Sequence, residues 1–312
     1  MRVIVAKPRG FCAGVDRAID IVEKALEQYG PPIYVRHAIV HNKRVVDSLK
    51  DKGVVFVEEL DEIEDENARV IFSAHGVSPS VFEEARFKNL QVVDAVCPLV
   101  TKVHNEVKNY ADMGYTIVLI GHRNHVEVIG TSGEAPDKVV VVESVEEAQM
   151  LNIENPDKVA YVTQTTLSVD DTKEILEALK KRFPKILSPS KLDICYATQN
   201  RQDAVKELAK ISDVIFIMGS PESSNSNRLV EVAKAHGVEK AYLIEGSENL
   251  NKEMFVECPV IGLSSGASTP EIVVREVINK LRDLGAREIE ELEGKDEFTR
   301  FPFPDSLEFS NN

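Results

Sequence analysis

The sequence predicts an α/β protein of three similar domains, each a small, mostly parallel sheet flanked by helices, related by a pseudo-threefold repeat. Three observations predict it. A cysteine recurs in equivalent surroundings at Cys12, Cys97 and Cys195, each after a short apolar run and before a helix-like segment (VIVAKPRGFCAGV, LQVVDAVCPLV, KLDICYATQN). Strand-like and helix-like stretches alternate throughout, which argues α/β architecture. The chain has 312 residues, too many for one small core and suited to three domains of about 100 residues each.

The repeat continues beyond the cysteines, and symmetry at a long period decides the fold. A second strand runs into a polar loop in IYVRHAIVHN, TIVLIGHRNHVE and DVIFIMGSPESSNSN. A third strand with acidic residues behind it follows in GVVFVEELDEI, KVVVVESVEEA and KAYLIEGSENL. A fourth ends in a small polar loop and enters a helix in RVIFSAHGVSPSVFEEA, KVAYVTQTTLSVDDT and PVIGLSSGASTPEIVVREV. These strands are short, β-branched and continuously apolar, as strands covered on both faces are. The order gives units at 1–90, 91–188 and 189–284, and a tail, 285–312, expected to pack on another unit. The acidic stretch from Glu288 to Glu297 is expected to be a solvated face.

Composition narrows the function. A net charge of −15 argues against a nucleic-acid partner, which would need a basic surface. It does not forbid an anionic small molecule in a locally positive pocket. No apolar stretch approaches the roughly 20 residues that span a bilayer, so no membrane partner is expected. The chain opens directly on a strand with no signal-peptide pattern, and a cytoplasmic location is expected. Four cysteines in a chain this long are not a disulfide framework.

Each recurrent cysteine opens a predicted helix, where the macrodipole and unpaired backbone N–H groups favour negative charge. Thiolates are stabilised there. Three convergent thiolates suit an iron–sulfur cluster with one iron open to substrate, and they also suit catalytic zinc. The absence of a close cysteine pair sets the chain apart from ferredoxins and structural zinc sites. Cys258 has no counterpart in the other units and reads as a core residue.

Strand-to-helix loops in open parallel sheets carry ligands. His41, His75 and His125 occupy such loops in the first two units, and Ser223, Ser224, Asn225 and Asn227 in the third. Ser268 precedes a helix starting near Pro270. Helix N-termini with hydroxyls bind anions, and imidazoles add donors, so the group reads as a phosphate or diphosphate cradle. His37, His104, His122 and His236 lack matching partners and read as surface or satisfied core residues. No GxxxxGK[ST] is present, which excludes a Walker-type site. Glu127, two residues after His125, is the acid–base candidate, and Thr165 can hydrogen-bond the same reacting group.

Together GFCAGVDRAI, DAVCPLVTKVH, SAHGV, TQTTLSVDDT, DICYATQNRQ, SSNSNRL and GAS make the chain resemble the 4-hydroxy-3-methylbut-2-enyl diphosphate reductase family, from Cys12 to Ser268. The resemblance implies a trefoil of three α/β domains around a [4Fe–4S] cluster held by Cys12, Cys97 and Cys195. It implies diphosphate binding by His41, His75, His125, Ser223, Asn225 and Ser268, with Ser224 nearby, and proton relay through Glu127 and Thr165. The substrate would be an allylic diphosphate and the electron source an external one-electron donor such as ferredoxin or flavodoxin. One departure is visible: Val126 stands where the family usually has proline between the His and the Glu. Two rival functions differ in kind. A non-redox iron–sulfur hydro-lyase explains the cysteines but not the diphosphate cradle. A metal or redox sensor would need an effector surface or DNA-binding element that this acidic chain does not show.

Overall fold

The computed structural model describes residues 1–304. Twelve strands, all paired in parallel, form three sheets with helices between them among these residues. Contacts divide the chain into two compact units. The first comprises Met1–Ala13, His41–Val45 and Tyr196–Arg300; the second comprises Gly14–Val40, Val46–Cys195 and the chain from Phe301.

The first unit holds a five-stranded sheet in the order β10-β9-β11-β1-β12, formed by β1 (Arg2–Val5), β9 (Val214–Met218), β10 (Ala241–Ile244), β11 (Val260–Ser265) and β12 (Glu288–Glu291). Its three central strands are almost wholly apolar, because helices cover both faces. One face packs Val3, Val5, Phe216 and Leu263 against Val273, Val274, Val277 and Leu281 of α10 (Glu271–Asp283). The other packs Ile4, Ile215 and Ile217 against α8 (Tyr196–Ala209) and α9 (Ser224–Ala235).

The second unit holds two sheets. One runs β3-β2-β4-β5, from β2 (Ile33–Arg36), β3 (Val54–Val57), β4 (Arg69–Phe72) and β5 (Gln91–Asp94). The other runs β7-β6-β8, from β6 (Thr116–Ile120), β7 (Val139–Val142) and β8 (Val159–Thr163). The helices that cover them follow from sequence. In α1 (Ala13–Tyr29), Ala18, Ile21, Val22 and Ala25 recur at helical spacing and are buried. The helix α4 (Pro98–Asp112) begins on Pro98, whose fixed φ and missing N–H suit a first turn. In α7 (Val169–Arg182) the Ser168 side chain accepts from the Asp171 N–H, with Asp170 and Asp171 in the first turn and Lys180, Lys181 and Arg182 in the last. Those charges complement the helix dipole.

All three sheets share one order: third strand, second strand, fourth strand, then the segment leading to the next cysteine. The strand before Cys97 therefore closes the sheet begun at β2, and the strand before Cys12 closes the sheet of the last repeat. Hydrophobic pattern had grouped each cysteine strand with the strands after it. Hydrogen bonding places β5, before Cys97, on β4 of the preceding repeat, and β1, before Cys12, on β11 of the last repeat.

One expectation is corrected and one is refined. The run before Cys195 forms no strand; the chain makes one bridge at Leu187 to Ala160 and then bends. The Asp193 carboxylate takes the ladder's place, accepting from the Thr163 backbone N–H at 2.8 Å. The acidic stretch includes a strand, β12, paired with β1 at the sheet edge. It remains solvated, with Glu288, Glu290 and Glu291 exposed, and Glu290 pairs with Arg2 at 2.6 Å. Later in the tail Pro302 and Phe303 lie along α1, where Arg17 Nε donates to the Pro302 carbonyl at 2.7 Å and Lys24 Nζ lies 3.2 Å from the Phe303 ring centroid. Residues 305–312 of the expected packing tail lie outside the described residues.

Candidate active site at the cysteine loops

In each sheet the chain leaves the second strand toward one side and the fourth toward the other. The gap between those strands is a topological switch point, where loops part and leave a crevice. The three cysteines flank the fourth-strand loops in one repeated way. Each directly precedes a helix: Cys12 before α1, Cys97 before α4 and Cys195 before α8. Each backbone N–H donates to a carbonyl of a fourth-strand loop: Cys12 to Ala267 at 3.1 Å, Cys97 to Ala74 at 3.0 Å and Cys195 to Thr165 at 3.0 Å. All three are partly exposed, while Cys258 is buried in the core of the first unit. Soft, partly exposed sulfurs at helix N-termini are the donor chemistry that an iron–sulfur cluster takes. Among the described residues, no three His, Cys, Asp or Glu side chains are grouped to hold a single metal ion.

In the second unit the loop after β6 delivers His125 and Glu127. His125 caps α5 (Val126–Ser132), its Nδ1 accepting from the Glu127 N–H at 3.1 Å, which places the neutral ring's proton on Nε2. Val126 supplies the first helical residue without disturbing that cap. Glu127 is 3 % exposed. Thr165, in the loop after β8, donates to Glu127 Oε1 from its backbone N–H at 2.6 Å and to Oε2 from its hydroxyl at 3.0 Å. Burial pushes the Glu127 carboxyl up to about 7, against those hydrogen bonds, which favour the charged form. A carboxyl with that value can give or take a proton at neutral pH. His75 lies in the loop after β4, its Nδ1 3.1 Å from Ser73 Oγ. Its ring meets the His125 ring edge to face, with centroids 6.0 Å apart.

The first unit assembles the other polar group. The Ser268 hydroxyl donates to the His41 carbonyl at 3.1 Å. Ser223 caps α9, its Oγ accepting from the Ser226 hydroxyl at 3.0 Å, and Ser224 is the first helical residue. Asn225 is 5 % exposed, and both its Nδ2 and its Oδ1 are buried without a hydrogen-bond partner among the described residues. A buried amide left unmatched is costly unless something else satisfies it. Gly266 admits this amide: a Cβ there would lie 2.8 Å from Asn225 Nδ2. Asn227 is used differently, its Nδ2 bracing the turn on the Pro221 and Ser223 carbonyls at 2.7 and 3.0 Å.

Thus His75, His125, Glu127 and Thr165 lie with Cys97 and Cys195 in the second unit. His41, Ser223, Ser224, Asn225 and Ser268 lie with Cys12 in the first. Of the remaining histidines, His37 pairs with Glu58 at 2.8 Å and the His236 ring contacts the Val232 carbonyl. His104 is buried, its Nδ1 2.7 Å from Glu134. It packs under Gly76, whose positive φ and close approach to that ring leave no room for a side chain. Sequence reasoning missed Asp193, whose other oxygen accepts from Lys102 Nζ at 2.6 Å. An acid two residues before a cysteine, inside an apolar run, was the available signal.

Three parallel sheets, a cysteine directly before a helix beside each, and a buried carboxyl held near neutrality define an α/β protein with cysteine-bearing strand-to-helix loops. The chain belongs to the LytB protein family, whose model matches residues 3–282. It is 56 % identical over 310 residues to the 4-hydroxy-3-methylbut-2-enyl diphosphate reductase of Methylococcus capsulatus, covering 98 % of each chain. Among solved structures it resembles the E-1-hydroxy-2-methyl-but-2-enyl-4-diphosphate reductase from Plasmodium falciparum, with 40 % identity, TM-score 0.94, and coverage of 98 % of this chain and 96 % of that one. A second solved structure, (E)-4-hydroxy-3-methyl-but-2-enyl diphosphate reductase, the terminal enzyme of the non-mevalonate pathway, matches at 35 % identity and TM-score 0.63, covering 91 % of this chain and 100 % of that one. Among the described residues no helix is long and apolar enough to cross a membrane.

Proposed function

We propose that this chain reduces 4-hydroxy-3-methylbut-2-enyl diphosphate to isopentenyl diphosphate and dimethylallyl diphosphate, the last step of the methylerythritol phosphate route. The reaction consumes two electrons and two protons and releases the substrate hydroxyl as water. The observation that carries the reading is the Glu127 carboxyl, buried on Thr165 and held near neutrality, in a chain 56 % identical to a reductase of that name.

We assign Cys12, Cys97 and Cys195 as the holders of a [4Fe–4S] cluster, one from each of three repeats with boundaries at residues 1–90, 91–188 and 189–284. Their donor chemistry and position before helices support it. When bound, the cluster supplies single electrons and an iron without cysteine that acts as a Lewis acid. Every other part of the chemistry falls to side chains. His41, His75, His125, Ser223, Ser224, Asn225 and Ser268 bind the diphosphate, the imidazoles, hydroxyls and amide supplying donors to its oxygens. The Asn225 amide finds its hydrogen bonds there. Glu127 gives its proton to the departing hydroxyl, and Thr165 fixes the direction of that transfer. Burial of Glu127 keeps water from competing for the proton.

The electrons come from an external one-electron donor of the ferredoxin or flavodoxin type. The cytoplasm, where thiols stay reduced, is the compartment this chemistry needs. The test is turnover of the anaerobically reconstituted protein with a chemical reductant. Products two electrons more reduced than the substrate are expected. Dehydration without electron uptake would make the chain a hydro-lyase, and cluster binding with no turnover would make it a sensor.

A further inference from the structure

The three cysteine loops are each gripped by a basic side chain, and the three grips follow one cyclic rule. Arg17 lies five residues after Cys12. Its Nη1 donates to the Val96 carbonyl at 3.0 Å and the Ala95 carbonyl at 3.4 Å, the two carbonyls before Cys97. Lys102 lies five residues after Cys97. Its Nζ donates to the Lys191 carbonyl at 2.7 Å and to Asp193 Oδ1 at 2.6 Å, on the approach to Cys195. Arg201 lies six residues after Cys195. Its Nη2 donates to the Gly10 carbonyl at 2.7 Å and the Phe11 carbonyl at 3.5 Å, the two carbonyls before Cys12.

Each cation is itself anchored. Arg201 is fully buried, with Nη1 on the Ala197 carbonyl at 2.9 Å and on both oxygens of Glu297 at 3.2 Å. Asn200 steadies the same carboxylate at 3.0 Å. Arg17 is tied by Nε to the Pro302 carbonyl, and Lys102 also pairs with Glu106 at 3.2 Å. Unlike Arg201, Arg17 and Lys102 are partly exposed. Burying a guanidinium on backbone carbonyls costs desolvation, and the same grip made at the other two cysteine loops points to a task beyond packing. In Arg17 and Arg201 one guanidinium nitrogen spans the two adjacent carbonyls while another is anchored elsewhere, whereas Lys102 reaches one carbonyl and two carboxylates from its single nitrogen.

We infer that Arg17, Lys102 and Arg201 are positioning residues for the cysteine ligands, each reaching from the helix behind one cysteine to the backbone in front of the next. The inference rests on the reading of these cysteines as cluster ligands. Each grip fixes the peptide that orients the following thiolate and places one positive charge on its loop. Movement of any one loop is thereby passed to the helix that follows another.

The test is hydrogen exchange of the full-length chain after anaerobic reconstitution with iron and sulfide, in Arg17→Gln, Lys102→Gln and Arg201→Gln, with Arg17→Lys and Arg201→Lys as conservative partners. Each Gln variant is expected to speed exchange of the next cysteine's amide by about tenfold or more: Cys97 for Arg17, Cys195 for Lys102 and Cys12 for Arg201. The other two cysteine amides should stay protected. The Lys variants should restore the charge but only part of the protection, and iron per chain and the electron paramagnetic resonance spectrum of the reduced cluster should shift with the loosened loop. Uniform acceleration at all three loops, or at the variant's own cysteine, would overturn the cyclic assignment, as would full protection in the Gln variants. Failure of the unmodified chain to take up iron and sulfide would instead sink the cluster reading, and the exchange pattern would still decide the role of the grips.

Discussion

Thr165 grips both oxygens of the Glu127 carboxylate, one through its backbone and one through its hydroxyl, while its own carbonyl holds the Cys195 N–H. A single residue thus links the buried Glu127 carboxyl to the loop of the third cysteine. Two consequences of this link can be measured.

Glu127→Gln keeps the shape and removes the acid. We expect turnover to fall by about 10²- to 10⁴-fold, the usual worth of a general acid, with iron content unchanged. In the parent enzyme the donor must be protonated and its carboxyl sits at about 7, so kcat should fall as pH rises through neutrality. Stability should fall over the same direction. Because the folded-state value is raised, the native state holds the proton more tightly than the unfolded chain, and the contribution present at acid pH is lost as pH rises through about 7. A flat pH profile for kcat would remove Glu127 from the proton path.

Thr165→Val deletes one of the hydrogen bonds that favour the charged carboxylate. The Glu127 carboxyl should then rise further, and the alkaline fall in kcat should move to higher pH. A shift to lower pH would show that the hydroxyl serves the substrate and not Glu127.

Asn225→Ala should weaken substrate binding by about 1–3 kcal/mol, as expected for lost hydrogen bonds to a charged group. Its amide has no partner among the described residues, so the melting temperature of the substrate-free protein should barely move. Calorimetric titration with substrate and a thermal melt separate the two effects. A large loss of stability with unchanged affinity would place Asn225 outside the cradle.

Asp193→Ala removes the acceptor of the Thr163 N–H and the partner of Lys102. Leaving the buried Thr163 N–H without an acceptor costs about 1–3 kcal/mol, readable in denaturant unfolding. Iron content should fall as well, since Cys195 lies two residues on. Unchanged stability would mean that the bend before Cys195 is held by its backbone alone.

Much of this was legible in the chain. The second, third and fourth strands of all three repeats lie where apolar, β-branched runs had placed them, and the predicted helix near Pro270 begins at Glu271. Glu127 and Thr165 were picked out by the polar loops they occupy, and their contact follows from the adjacency of β6 and β8. Three things were hidden. Cys12's strand pairs with β11, at the far end of the chain; an apolar run shows that a strand will be covered, not which edge will take it. Asp193 replaces a strand's hydrogen bonds, and a buried carboxylate reads in sequence as a surface acid. Arg201 looks like a solvated helix residue until its fold-mates, Gly10 and Glu297, are known.

The sequence by itself determined the repeat, the strand content and the residue types available for chemistry, because side-chain period and loop composition are local properties of the chain. Tertiary structure alone decided which sheet each cysteine strand closes, which carbonyl each cysteine amide meets and how far Glu127 is shielded from water. Those depend on contacts between residues far apart in sequence, whose energies are set by burial and hydrogen-bond geometry that no local pattern encodes.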